Sequence, residues 1–93
     1  MRIKLFGATF PANQLCIVCH HVLAGCEIVE VGHDEDGVVQ VFCEARDHLP
    51  SDAAPIGIDH MVDRLRALKL PSLPAGHYAA REGRSWTIRR IPA

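Results

Sequence analysis

Cys16-Ile17-Val18-Cys19-His20-His21 sets two thiols three residues apart with two imidazoles directly behind them. Four readings compete: a haem attachment site, a redox dithiol, half of a zinc site, and a buried strand that carries cysteines. Cys-x-x-Cys-His is the attachment pattern of c-type haem, with His20 as the proximal ligand and Met61 at a suitable distance for the other axial position. Three observations oppose it. The N-terminal stretch shows no export signal, residues 27–44 read as a β-hairpin where a small class I cytochrome is helical, and Met61 already belongs to a helical apolar stripe. A thioredoxin-type dithiol needs a strand before the motif and a helix after it in a βαβ setting, and here a hairpin follows.

Zinc needs four tetrahedral donors, usually thiolate or imidazole. Cys16 and Cys19 can supply two from a knuckle. A hairpin returns its second strand to where its first began, so Cys43 comes back towards residues 26–28. With His48 as the fourth donor the set is Cys16, Cys19, Cys43 and His48, spaced Cys-x2-Cys-x23-Cys-x4-His. Cys26, His20 or His21 can fill the fourth place instead. Pairing Val29 with Val41 and Val31 with Val39 puts Cys43 on the apolar face and Cys26 on the other, which favours His48. Beside this stands the plain reading: free cysteine packs as a small hydrophobe, and Cys16 to Cys19 is then a core strand.

The elements that must position these residues follow from pattern. Arg2–Phe6 alternates as a short strand, and Gly7–Asn13, with Pro11 and Asn13, reads as a loop. Gln14–Leu23 is a strand leading into a tight knuckle, or a short helix, closed by Gly25. Glu27–His33 and Val38–Glu44 are rich in β-branched residues and flank Asp34-Glu35-Asp36-Gly37, a hairpin signal. Residues 45–55 read as a loop, with Ser51 or Asp52 as a helix cap. Ile58, Met61, Val62, Leu65 and Leu68 recur at helical spacing and predict an amphipathic helix of about three turns, ended by Pro71 and Pro74. Gly76–Glu82 and Ser85–Ile91 flank Gly83-Arg84 as a second hairpin. The expected fold is one α+β domain over 1–93: a small antiparallel sheet of two hairpins packed on one amphipathic helix.

At this point the chain resembles a group of small uncharacterised bacterial proteins. The shared pattern is Cys-x-x-Cys, His-Val, a His-Asp-x-Asp-Gly turn, a strand ending in Cys, an Asp-His pair, a helix and a late Trp. Here these are Cys16, Cys19, His21-Val22, His33-Asp34-Glu35-Asp36-Gly37, Cys43, Asp47-His48 and Trp86. The chain departs from that pattern at Val39, where a Trp is expected, and at Glu44, where a Gly is expected. It is also distantly similar to immunity-protein-like domains of unknown function. The resemblance implies no activity. It implies that Cys16, Cys19, Cys43 and His48 belong together; an immunity-type role, sequestering a protein partner, is one version of the binding function expected below.

The totals bound the rest. A formal net charge of −1 and a pI near 6.6 argue against a nucleic-acid coat or an anionic membrane surface as partner. No run approaches the roughly 18 apolar residues of a membrane span. Without a secretory leader the expected setting is cytoplasmic, where four cysteines act as thiols or metal ligands before disulfides. In a chain of 93 residues the core is thin, and a metal staple would help it. The acidic turn at 34–37 lacks the later ligands of a calcium loop. Arg81, Arg84, Arg89 and Arg90 read as a solvated hairpin face, and His60 and Arg64 as surface residues on one helix face. The expected function is a non-enzymatic binding or interaction module with one structural zinc and no catalytic residues. The alternative is a small thiol or metal-dependent enzyme, with Cys43 attacking and His48 as base. The sequence leaves the oligomeric state open.

Overall fold

The computed structural model describes residues 2–44 and 53–92. β1 (Arg2–Leu5) and β2 (Ala8–Pro11) pair antiparallel around Phe6-Gly7. Both turn residues have positive φ, 38° and 81°, as a type I′ turn requires, and its twist matches that of the flanking strands. The expected loop over Gly7–Asn13 is thus partly a strand, because Ala8 and Phe10 complete the pairing that Ile3 and Leu5 begin.

Six further strands form one sheet: β3 (Leu15–Cys19), β4 (Glu30–His33), β5 (Val39–Phe42), β6 (Ala53–Gly57), β7 (His77–Glu82) and β8 (Ser85–Arg90). Their order is β6-β3-β5-β4-β7-β8. All neighbours are antiparallel except β3 and β5, which run parallel. Between β3 and β4 lies a single helical turn, α1 (His20–Leu23). After β6 come a 3-10 turn (Ile58–His60) and α2 (Val62–Ala67).

This corrects the expected architecture. The sheet is mixed and six-stranded with a separate two-stranded sheet, in place of a small antiparallel sheet packed on one amphipathic helix. The predicted three-turn helix divides at Met61 into a 3-10 turn and a six-residue helix, and Lys69, with φ 53°, reverses the chain two residues before Pro71. The apolar spacing nevertheless holds its meaning, since Ile58, Met61 and Leu65 are all buried. Residues 53–57 form an edge strand rather than a loop. An edge position tolerates Pro55, which has no N–H to donate.

Both predicted hairpins are present. The first has its register offset from the expected one by two residues: Val31 faces Val41 and His33 faces Val39. The five-residue closure sets this, with Asp34 N–H donating to Val38 O at 2.9 Å and Gly37 at φ 91°. An offset of two leaves every side chain on its predicted face. The second hairpin turns at Gly83-Arg84 with Glu82 opposite Ser85.

One face of the sheet carries Cys16, Val18, Val31, Val39, Val41 and Ala79, all fully buried. The β1–β2 hairpin, the 3-10 turn, α2 and Leu73 supply the opposing layer through Ile3, Leu5, Phe10, Ile58, Met61 and Leu65. His33 sits within it beside the Phe6 and Phe10 rings and donates from Nδ1 to Leu73 O at 2.9 Å. That bond, with Leu73 N–H to Phe6 O, ties the 68–76 connection to the core. By strand alternation the other face presents Leu15, Ile17, Phe42 and Tyr78, half-buried or exposed.

A short helix still anchors this core. Leu65→Ala, at a side chain 1% exposed, is expected to cost about 2–5 kcal/mol. Leu23→Ala, at 45% exposure, is expected to change stability by less than about 0.5 kcal/mol. Urea unfolding of both variants against the parent chain checks the contrast.

Candidate metal centre

The site grows out of the parallel pair. In the β3–β5 register Cys16 faces Val39 and Val18 faces Val41. Continued by one and two residues, the register sets Cys19 level with Phe42 and His20 level with Cys43. The C-terminal ends of two adjacent strands therefore lie side by side. α1 starts at once, with Cys19 as its extended N-cap residue, and its tight turn brings His21 back over the strand ends. The ligand atoms of Cys19, His21 and Cys43 all lie within 4.8 Å of one another. Cys19 is fully buried, Cys43 nearly so, and His21 is exposed.

Of the residues singled out from sequence, Cys19 and Cys43 are brought together. The imidazole that joins them among the described residues is His21, one of the alternatives left open for the fourth donor. Cys16 is not in that group. Residues three apart on a strand fall on opposite faces, so Cys16 packs in the core while Cys19 ends the strand. Burial pushes the Cys16 thiol up to about 12, which keeps it a neutral, hydrophobe-like side chain. His48, like Ser51 and Asp52, lies outside the described residues. Cys26 is exposed on the connection after α1, and no described cysteine is in a disulfide.

Two features around the site had no signal in the sequence. Arg64 of α2 is half-buried rather than a plain surface residue, and its guanidinium donates to Val22 O at 2.5 Å and Cys26 O at 2.7 Å. It satisfies a carbonyl at the end of α1 and clips the following connection to α2. The second feature is a cavity of about 260 Å³ lined by His21, Cys26, Glu27, Val29, Cys43 and Glu44. Glu27 in that wall is ion-paired with Arg81. The hydrogen bond from Arg81, and then its charge, hold the Glu27 carboxyl below its ordinary value. Arg89 lies 3.4 Å from Glu82, so two of the four C-terminal arginines are partnered within the domain.

A larger depression, about 730 Å³, lies at the other end of β5, between Asp34-Glu35-Asp36 and Arg90-Ile91-Pro92. The acidic turn there is occupied with hairpin geometry: Asp34 accepts from the Gln40 amide at 2.9 Å, and Asp36 accepts from Val38 N–H at 3.4 Å. The chemistry therefore gathers at the smaller cavity. Two thiols and one imidazole are donors for a borderline-soft cation, and they meet where β3, α1 and β5 converge.

The environments of the thiols predict their reactivity. Iodoacetamide on the native, metal-free protein is expected to label Cys26 first and Cys16 only after denaturation, as read by peptide mass mapping. The folded Cys16 thiol keeps its proton to about 12, against 9.0 ordinarily, so above pH 9 the folded chain binds more protons than the unfolded one. Stability from the neutral thiol is complete below pH 9 and is lost as pH rises towards 12. Cys16→Ala is expected to lower the urea midpoint at pH 7 but to show a shallower further fall at pH 10.

Comparison with protein families, with curated proteins and with solved structures returned no match.

Proposed function

We propose that this chain is a small zinc-stapled binding module in which Cys19, His21 and Cys43 hold one Zn²⁺. The observation that carries the reading is the mutual approach of three soft donors to within 4.8 Å, two of them buried thiols. Donors about 2.0–2.3 Å from a tetrahedral zinc lie roughly 3.5–3.8 Å from one another. Side-chain rotation would have to close the group, now within 4.8 Å, to that spacing. The metal would join the ends of two strands to the helical turn between them, and its binding energy would add to a thin core.

Binding through a protein partner is the second part of the proposal. The sheet face bearing Leu15, Ile17, Phe42 and Tyr78 supports it, since among the described residues these apolar side chains are half-buried or exposed and offer contact area. A metal- or thiol-dependent enzyme is the second reading. The cavity beside His21 and Cys43 favours it, because catalytic zinc keeps one position open towards substrate.

The test is zinc stoichiometry and its coupling to stability. Native mass spectrometry is expected to find one zinc per chain, lost on denaturation. With free zinc at 100 times Kd the domain gains about 2.7 kcal/mol, and a chelator removes that gain in thermal melting. Cys19→Ala and Cys43→Ala are expected to abolish zinc retention, whereas Cys16→Ala retains it. Retention by the first two variants, or loss only in the third, overturns the assignment.

A further inference from the structure

We infer that Cys26 supplies the fourth donor of this centre, making it a closed site of three thiolates and one imidazole. The inference rests on the zinc reading above. Three donors leave one tetrahedral position, and that position has to be filled from a direction the first three do not occupy. The cavity beside them is lined by His21, Cys43 and Cys26 together. Cys26 is the thiol in its wall that is not already in the three-donor group.

The backbone is built to hold Cys26 there. Its N–H donates to His21 O at 2.9 Å, which folds the connection back over the ligand-bearing turn. Gly25, at φ 110°, makes the reversal. Only glycine takes that conformation without strain. Arg64 then fixes the carbonyls of Val22 and Cys26 with the two arms of one guanidinium. The peptide after Gly25 is thus anchored next to His21, while the exposed Cys26 side chain keeps its rotation about χ1. Ligation requires the thiol to turn about χ1 into the cavity that His21 and Cys43 also line.

The competing oxygen donors are less suited. Glu27 lines the same cavity but is engaged by Arg81. Glu44 is an exposed carboxylate, and zinc already held by two thiolates favours a third sulfur in a structural site. Loading the centre would release the thiol protons, so that three thiolates and one imidazole would hold the cation. Arg64 is a positioning residue here, acting through the backbone of Val22 and Cys26.

Cobalt(II) in place of zinc reports the donor set by absorption. Sulfur-to-cobalt charge-transfer intensity in the near ultraviolet scales with the number of thiolates, so Cys26→Ser is expected to lose about a third of it relative to the parent protein. The d–d bands should shift to higher energy as sulfur is replaced by oxygen. Cys16→Ala should leave the spectrum unchanged. An identical spectrum for the parent and Cys26→Ser overturns the inference while leaving a two-thiolate centre standing. A parent protein with no charge-transfer band at all overturns both, which separates the two failures. Cys26 is exposed, so its replacement tests ligation without disturbing the core.

Discussion

The pairing on which the rest depends is the parallel contact between β3 and β5. Every other pair in the sheet is antiparallel, and an antiparallel partner would have carried Cys43 to the opposite end from Cys19. Parallel pairing sets both strand ends together, leaves α1 to bridge from β3 to β4, and places β4 outside β5. The cysteines that meet are separated by 24 positions in sequence, yet they lie at the ends of neighbouring strands. The donor cluster is a product of topology before it is a product of any local motif.

That topology is held by two polar devices at the margins of an apolar core. His33 donates to the Leu73 carbonyl from within the Phe6 and Phe10 rings, and so secures the long connection that leads to β7. Arg64 donates to the carbonyls of Val22 and Cys26, and so secures the connection that carries the donors. Each replaces regular secondary structure in satisfying carbonyls where the chain turns. The short helix α2 contributes in both directions, with Leu65 into the core and Arg64 onto the carbonyls of Val22 and Cys26.

The legibility of the sequence follows the range of the forces involved. Hairpins at Asp34–Gly37 and Gly83-Arg84 are local, and their turn residues announce them. The β1–β2 hairpin turns on Phe6-Gly7, a pair that carries no familiar turn signal, so only its first strand is legible and its second reads as a loop. The apolar spacing over Ile58–Leu68 predicts too long a helix, because a 3-10 turn followed by a shorter helix shares it. Cys-x-x-Cys marks the strand that carries Cys19, one of the three clustered side chains, but for an incomplete reason. Its spacing fits a knuckle, but on a strand it divides the two thiols between faces, and both are fully buried. Cys43 was legible from hairpin geometry, and its face survived an offset of two. The role of His21 depended on where α1 begins, and that of Arg64 on contacts some 40 residues distant; neither is written in a local pattern.

The centre itself is most directly tested by X-ray absorption at the zinc edge on the zinc-loaded protein. The account predicts a mixed shell, with sulfur at about 2.3 Å and an imidazole nitrogen at about 2.0–2.1 Å, and loss of sulfur scattering in Cys19→Ser and Cys43→Ser. A shell of oxygen and nitrogen alone would contradict it, because the buried thiols would then be core side chains and the metal, if held, would be held elsewhere.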